Sequence, residues 1–469
     1  MSRFVKLKQV LQNGKANWEL LGPSGHAIWA FGAFMKVHRN SPFNTRRTYA
    51  RHLARFFDYL YAAEEHFRGI KVRLTRDDLE ETLFAYKDYL TFGASSGNEL
   101  SRAIAKVLPS EKLVSSSTCD GMHVPVRKLL KMSETLRHQV AELRSLGLVH
   151  AATNVEPPKL VGDKKLLPPR QRAALRQHSM LAGVISGGPK LISANPLPSS
   201  SRRAQQADRN PFPFQHVLKV LDATTTWRDE ALNSLCAASG CRLSEAVQLL
   251  WADINVREGT VRLVDPQRRI NHPSYLALPP EERDRLEWKG RTTQVTFLIE
   301  PFASRFFQAL ERYVAEEYIP HGLHEFVFQH LRTTPGRPYF LSADSTRNET
   351  FKRAVARAIA DPAERAGLPG VHGLRGMYIS YLVNYLPMAD GTYGMPVGKV
   401  RPLVGHAKVD STERYVQYDT DLRTAELAYA NDLVFGTGEL KSLNTMKKEV
   451  LESRLRTVLL AIEQEAVAC

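Results

Sequence analysis

Cysteine is scarce in this chain, long apolar runs are missing, and acidic residues are thin near the start. The four cysteines, Cys119, Cys236, Cys241 and Cys469, show neither C-x-x-C pairing nor the density of a secreted disulfide scaffold, so a reducing, cytoplasmic setting is expected. No window approaches the roughly 20 apolar residues that span a bilayer. Met1-Ser2-Arg3 leads into a polar, basic stretch rather than a signal-peptide core, so a soluble protein with no membrane partner is expected. Neither a phosphate-cradling G-x-x-x-x-G-K-[ST] loop nor a carboxylate cluster is present, which leaves no cofactor and no metal to expect. The first sixty residues contain only Glu19 and Asp58 as acids.

Base is abundant instead. Lys plus Arg number 64 against 49 Asp plus Glu, a formal charge of +15 over 469 residues, and that excess favours a polyanionic partner, nucleic acid first. The length allows two or three domains, each with its own core. From Asn44, the residues Tyr49, Leu53, Phe56, Phe57 and Leu60 recur at helical spacing with Arg46, Arg47, Arg51 and Arg55 interleaved. This predicts a basic amphipathic helix whose four arginines contact DNA phosphates. Thr75 is a candidate N-cap for a second helix with the stripe Leu79, Leu83, Tyr86 and Leu90. A third helical region spans about 122 to 146, after the break Ser115-Ser116-Ser117-Thr118.

The expected organisation is therefore a basic N-terminal extension over 1–43, a helical DNA-binding domain over 44–150, a basic Pro- and Ser-rich linker over 151–209, a catalytic domain over 210–420 and a helical tail over 421–469. In the catalytic region, helices around Phe214 to Leu221 and Trp227 to Ala238 precede β-like runs at Thr260 to Val264 and Thr292 to Ile299. Helices return after Pro301. The fold class expected is mainly α, with a helical N-terminal domain and a mixed α+β catalytic domain carrying a small antiparallel sheet.

Chemistry-bearing residues then follow in a telling order. Gly240-Cys241-Arg242-Leu243-Ser244-Glu245 reads as a glycine turn into a helix start, with Glu245 placed to orient Arg242 or to cap the helix. Lys289 stands beside Gly290 and Arg291, ahead of a β-like run. His372-Gly373-Leu374-Arg375 sets a histidine and an arginine three apart, able to face one point. Gly405-His406 and the stretch through Tyr415 read as a helix end, a turn and a short helix delivering one tyrosine. Arginine suits a phosphodiester because its planar fork stays charged and binds phosphate bidentately. A tyrosine can attack phosphorus once its phenol, which titrates near pH ~10 when free, is activated by such a field. Tyr418 is the rival nucleophile, and Tyr378 and Tyr381 look like core.

With these motifs the chain resembles the tyrosine recombinase (phage integrase) family, whose catalytic domain carries Arg, Lys, His-x-x-Arg, Gly-His and Tyr in this order. The resemblance covers about 212 to 420, and 44 to 150 more loosely as the family's helical core-binding domain. It implies that Arg242, His372 and Arg375 clamp the scissile phosphate, that Lys289 is the general acid, that His406 contacts the phosphate or transfers a proton, and that Tyr415 is the nucleophile. The nine-residue step from His406 to Tyr415 matches the family and favours Tyr415 over Tyr418. Cys241, the long stretch between Arg242 and His372 and the long linker depart from the usual pattern. The reaction implied is site-specific cleavage and rejoining of double-stranded DNA through a 3′-phosphotyrosine, by a homotetramer on two DNA sites, for integration, excision or resolution of a mobile element. A tyrosine-type topoisomerase and a non-catalytic accessory protein of the same fold are the alternatives.

Overall fold

A computed structural model describes residues 3–70, 76–109, 113–145, 197, 210–332, 334–388, 393–413, 415–416, 419, 424, 427 and 442–468. It divides into two compact units, Met1–Gln205 and Gln206–Cys469. Both are mainly helical, and each carries a two-stranded antiparallel sheet.

In the first unit, β1 (Lys6–Gln12) and β2 (Lys15–Leu21) pair across Asn13-Gly14. Both turn residues have positive φ, 53° and 73°, the conformation that an Asn-Gly pair adopts most readily in a two-residue hairpin. Along β2 the alternate residues Ala16, Trp18 and Leu20 are buried. They share one core with α1 (Trp29–Val37) and α2 (Phe43–Arg68), and the Trp18 and Phe43 ring centroids lie 5.6 Å apart. The carboxylate of Asp58 on α2 accepts the backbone N–H groups of Arg3, Phe4 and Val5 at 3.2, 2.7 and 3.2 Å. Within the region expected as an extension, the described residues 3–43 thus pack the hairpin's apolar face against the helices that cover it.

The basic helix forms as its periodicity predicts, with Leu53 and Phe56 in the core, but its arginines do not make one surface. Arg46 is 2% exposed, and its guanidinium donates to the carbonyls of Arg39, Ser41 and Ala16 at 3.3, 2.5 and 3.1 Å. It closes the turn ahead of α2 onto β2 and cannot face a duplex, so the expected phosphate contact is corrected there. Arg47 is half-buried with its guanidinium 5.4 Å from the Phe43 ring centroid, Arg55 is half-buried and hydrogen-bonded to Tyr89, and Arg51 is exposed.

The rest of the first unit is α3 (Arg76–Phe92), α4 (Glu99–Val107) and α5 (Ser116–Ser145). Leu83, Tyr86 and Leu90 of the expected stripe are buried. Helix α5 starts before residue 122 because Ser115 Oγ accepts the Thr118 N–H at 3.3 Å, so the serine run is a helix start rather than a break. Thr75 and nearly all of the 151–209 linker lie outside the described residues; Leu197 is buried, and its carbonyl accepts from Arg127 Nη1 at 3.2 Å.

The second unit is built around α7 (Trp227–Ser239), which follows α6 (Phe214–Asp222) and is buried along most of its length, including Arg228, Asp229, Glu230 and Asn233. Its N-terminus is held by a carboxylate from the end of α9 (Phe302–Glu316): Glu317 accepts the N–H groups of Trp227 and Arg228 at 3.1 and 3.0 Å. Orphan helix N–H groups and the positive end of the dipole both favour that partner. The sheet is small, with β3 (Ile254–Asn255) antiparallel to β4 (Thr260–Val261). The expected run over 292–299 joins it through the Arg262–Val295 bridge and through Thr296 Oγ1, which donates to the Val261 carbonyl at 2.7 Å. Phe326, Val327 and Phe328 enter the core as a fully buried run. Further helices are α10 (Asp344–Ala358), α11 (Gly373–Asn384), α12 (Val397–Leu403), α13 (Asp410–Glu413) and α14 (Leu443–Ala468), the last within the expected helical tail. No described helix is long and apolar enough to cross a membrane.

Because Arg46 serves backbone carbonyls in the interior, Arg46→Met should lower stability by about 2–4 kcal/mol, whereas Arg51→Met should change it by less than about 0.5 kcal/mol. Denaturant unfolding of the full chain compares them; equal effects would place Arg46 at the surface.

Candidate active site

Gly240 ends α7 in the left-handed region at φ 58°. A Cβ there would sit 2.4 Å from Tyr378 Cδ1, so both the turn and the close approach require glycine. The turn buries Cys241, whose Sγ lies 4.0 Å from that of Cys236, and leaves Arg242 as N-cap of the short helix α8 (Leu243–Ala246). Glu245 does both things open to it. Its carboxylate accepts the Arg242 backbone N–H at 3.0 Å and Arg242 Nη1 at 2.7 Å, so the guanidinium is held from behind with its side chain 19% exposed.

His372 stands at the start of α11 and Arg375 one turn in. Arg375 is 1% exposed. Its Nη1 donates to the Gly240 carbonyl at 2.5 Å, and its Nη2 donates to the Val404 carbonyl at 2.9 Å and to His406 Nε2 at 2.7 Å. Gly405, with φ 72°, turns the chain at the end of α12 and presents His406. Helix α13 then carries Thr412 beneath that ring and ends before Tyr415, which lies in a turn. Tyr415 Oη is 3.0 Å from His372 Nε2, and its ring stacks on His406 with centroids 5.7 Å apart and planes at 22°.

The hydrogen bonds fix the protonation of His406. A guanidinium can only donate, so Nε2 accepts from Arg375, the ring proton is on Nδ1, and Nδ1–H donates to Thr412 Oγ1 at 3.0 Å. Burial, with Arg375, Arg242, Arg291 and His372 nearby, holds His406 down to about 3. Burial, then the neighbouring Arg242, brings Arg375 down to about 10, partly offset by Glu245, so it stays charged at neutral pH. Its Nε has no hydrogen-bond partner among the described residues. Three guanidiniums, Arg242, Arg291 and Arg375, surround one carboxylate, Glu245, in a partly closed site. Such an arrangement is suited to a bound anion with several acceptor oxygens.

Five of the six expected site residues are therefore brought together: Arg242, His372, Arg375, His406 and Tyr415. Lys289 is not in contact with them. Its side chain is 56% exposed, and its Nζ lies 3.9 Å from Glu287. Tyr418 lies outside the described residues. Sequence reasoning missed two participants. Thr412, which sets the His406 tautomer, gave no signal beyond its place in the stretch. Arg291, read only as a neighbour of Lys289, is fully buried and lies 3.7 Å from Glu245.

A histidine kept neutral by its surroundings makes stability fall with acid, because the unfolded chain takes up the proton first, near pH ~6.5. Stability should thus decline as pH drops from about 6.5 towards 3. His406→Asn should remove up to about one proton from that slope, while the other histidines lowered chiefly by burial, His123, His324 and His330 at about 4 together with His38 and His52, still contribute to it. Denaturant unfolding at several pH values measures it; an unchanged slope would mean that His406 is not held neutral.

The phage integrase family model matches residues 212–421. No curated protein matches the sequence. Among solved structures, the XerH site-specific recombinase bound to palindromic difH substrate, a post-cleavage complex, is 14% identical, covers 84% of this chain and 81% of its own, and has a TM-score of 0.45. A lambda integrase(75-356) dimer bound to a COC' core site is 13% identical, with coverages of 78% and 98% and a TM-score of 0.32. The Tn1549 transposon integrase in complex with circular intermediate DNA is 14% identical, with coverages of 79% and 98% and a TM-score of 0.32. Residues 212–421 of this chain are a domain of the phage integrase family, the tyrosine recombinases.

Proposed function

We propose that this protein is a site-specific recombinase that cleaves and rejoins double-stranded DNA through a 3′-phosphotyrosine at Tyr415, acting as a tetramer on two DNA sites of a mobile element. The observation that carries the reading is the Tyr415 phenol 3.0 Å from His372 Nε2, beside the buried Arg375–His406 pair and within the family domain. In this reading Arg242 and Arg375 neutralise the non-bridging oxygens of the scissile phosphate. Tyr415 Oη forms the new bond to phosphorus while the bond to the 5′ oxygen breaks. The phenol proton passes to His372 Nε2, and the departing 5′ oxygen takes one from Lys289, whose exposure leaves it able to approach bound DNA. The 5′ hydroxyl of a partner strand then attacks the phosphotyrosine in the reverse sense. The ester conserves the bond energy, so no nucleotide is consumed, and guanidiniums supply the charge stabilisation that a metal provides elsewhere. The net charge of +15 supports DNA as partner, with Arg51 the exposed one of the four arginines Arg46, Arg47, Arg51 and Arg55.

Tyr415→Phe should bind DNA as the parent does yet form no covalent product on nicked suicide duplexes drawn from the DNA flanking its gene, while Tyr418→Phe should still form it. The adduct should carry the phosphate on the 3′ side and leave a free 5′ hydroxyl. Covalent product from Tyr415→Phe would move the nucleophile elsewhere. Strand exchange between two duplexes is expected, and relaxation of supercoils without exchange would indicate a topoisomerase. Cleavage should also persist in excess chelator; its loss, restored by a divalent ion at unchanged DNA affinity, would overturn the arginine-only account.

A further inference from the structure

Arg291 lies two residues beyond Lys289, separated from it by Gly290 in a left-handed turn at φ 70°. Unlike its neighbour it is an interior residue, with its side chain 0% exposed. Its Nε donates to the Thr293 carbonyl at 2.8 Å, Nη1 to the Val404 carbonyl at 3.3 Å and Nη2 to the Leu403 carbonyl at 2.9 Å. The last two acceptors lie at the C-terminus of α12, where carbonyls have no intrahelical partner and the dipole is negative. Nη1 also lies 3.7 Å from Glu245 Oε2, the oxygen that accepts the Arg242 backbone N–H.

Two further contacts lock the same pair of segments. Thr292 N–H donates to the Gly405 carbonyl at 3.2 Å, and Thr293 Oγ1 donates to the Pro402 carbonyl at 2.7 Å. Gly405 has no room for a side chain because of Arg291: a Cβ would sit 2.2 Å from Arg291 Cγ. The Val404 carbonyl is shared between Arg291 and Arg375. One guanidinium thus joins the loop that carries Lys289, the turn that presents His406 and the carboxylate that holds Arg242.

We infer that Arg291 is a positioning residue: it does not touch the scissile phosphate but fixes the base of the Lys289 loop against the His406 turn and the Arg242 clamp. This rests on the proposed strand cleavage. It also explains how a mostly exposed lysine can serve as acid: the loop tip is free to meet DNA while its root is anchored. A fork is required because carbonyls from three residues, in two different segments, must be met at once, and a lysine ammonium cannot span them.

The test is single-turnover formation of the covalent adduct on suicide DNA at saturating protein, with DNA affinity measured separately. Arg291→Ala should cleave about 100-fold more slowly, the scale of a misplacement of about 1 Å in a catalytic group, at an affinity within about threefold. Added methylguanidinium should restore much of the rate, and methylammonium should not. A 5′-bridging phosphorothiolate, whose sulfur leaves without an acid, should recover part of the loss. A rate in Arg291→Ala equal to the parent, or a loss that neither methylguanidinium nor the phosphorothiolate relieves, would overturn the inference. Should Arg291→Ala fail to fold, Arg291→Lys takes its place, with a loss of about tenfold expected for the missing fork and a parental rate overturning the idea. Failure of the parent protein itself to form adduct would instead count against the proposed cleavage.

Discussion

The buried guanidinium of Arg375 is the constraint on which the rest of the site depends. A charge taken out of water is tolerated only when acceptors surround it, and here they come from the ends of separate segments. The Gly240 carbonyl closes α7, the Val404 carbonyl follows α12, and the His406 ring follows the Gly405 turn. Satisfying one cation therefore draws to a single point the segments that also carry Arg242 and Tyr415. Glu245 then supplies the one carboxylate among three guanidiniums, enough to orient Arg242 and Arg291 without neutralising the cluster.

The order Arg242, His372, Arg375, His406 and Tyr415 was legible because each residue sits at the edge of an element whose boundary is also written locally. Gly240 and Gly405 announce turns, and the apolar periodicity of the adjoining helices announces what they join. Lys289 was legible as a residue but not as a position, since a side chain that meets no other protein group of the site has nothing in the chain to place it. Arg291 and Thr412 were hidden for a different reason. Their roles are tertiary: Arg291 acts on carbonyls more than a hundred residues away in sequence, and carbonyls leave no mark in a sequence. The hairpin of the first unit has a local signal in Asn13-Gly14, but it is set among basic residues whose charge says nothing of pairing.

Charge counting was the weakest guide to contact surfaces. Arg46, Arg228, Arg291, Arg347 and Arg375 are all buried. Arg228 and Arg347 pair with Asp229 and Asp344, whereas Arg46 donates to the carbonyls of Arg39, Ser41 and Ala16. Such residues still add to the long-range field that attracts a polyanion, but Arg46, Arg228 and Arg347 are committed to acceptors within the protein. The arginine fork that suits phosphate suits clustered carbonyls equally well, and an arginine on an amphipathic helix is assigned to one use or the other only by what the preceding turn offers. For Arg46 that turn offers Arg39 and Ser41, and β2 adds Ala16.

In the proposed reaction the two histidines divide the tasks of a proton acceptor and a fixed support. His406 has both ring nitrogens committed, Nε2 to Arg375 and Nδ1–H to Thr412, and burial among cations holds it neutral. It could take a proton at Nε2 only by giving up the Arg375 bond, which would place a second positive charge against a buried guanidinium. His372 is exposed and directs Nε2 at the Tyr415 phenol. In the proposed reaction the phenol proton therefore goes to His372, while His406 keeps its ring face against Tyr415 and its Nε2 on Arg375. The nucleophile is then aligned by a group whose protonation does not change during the step, so deprotonating Tyr415 leaves the clamp around the phosphate intact.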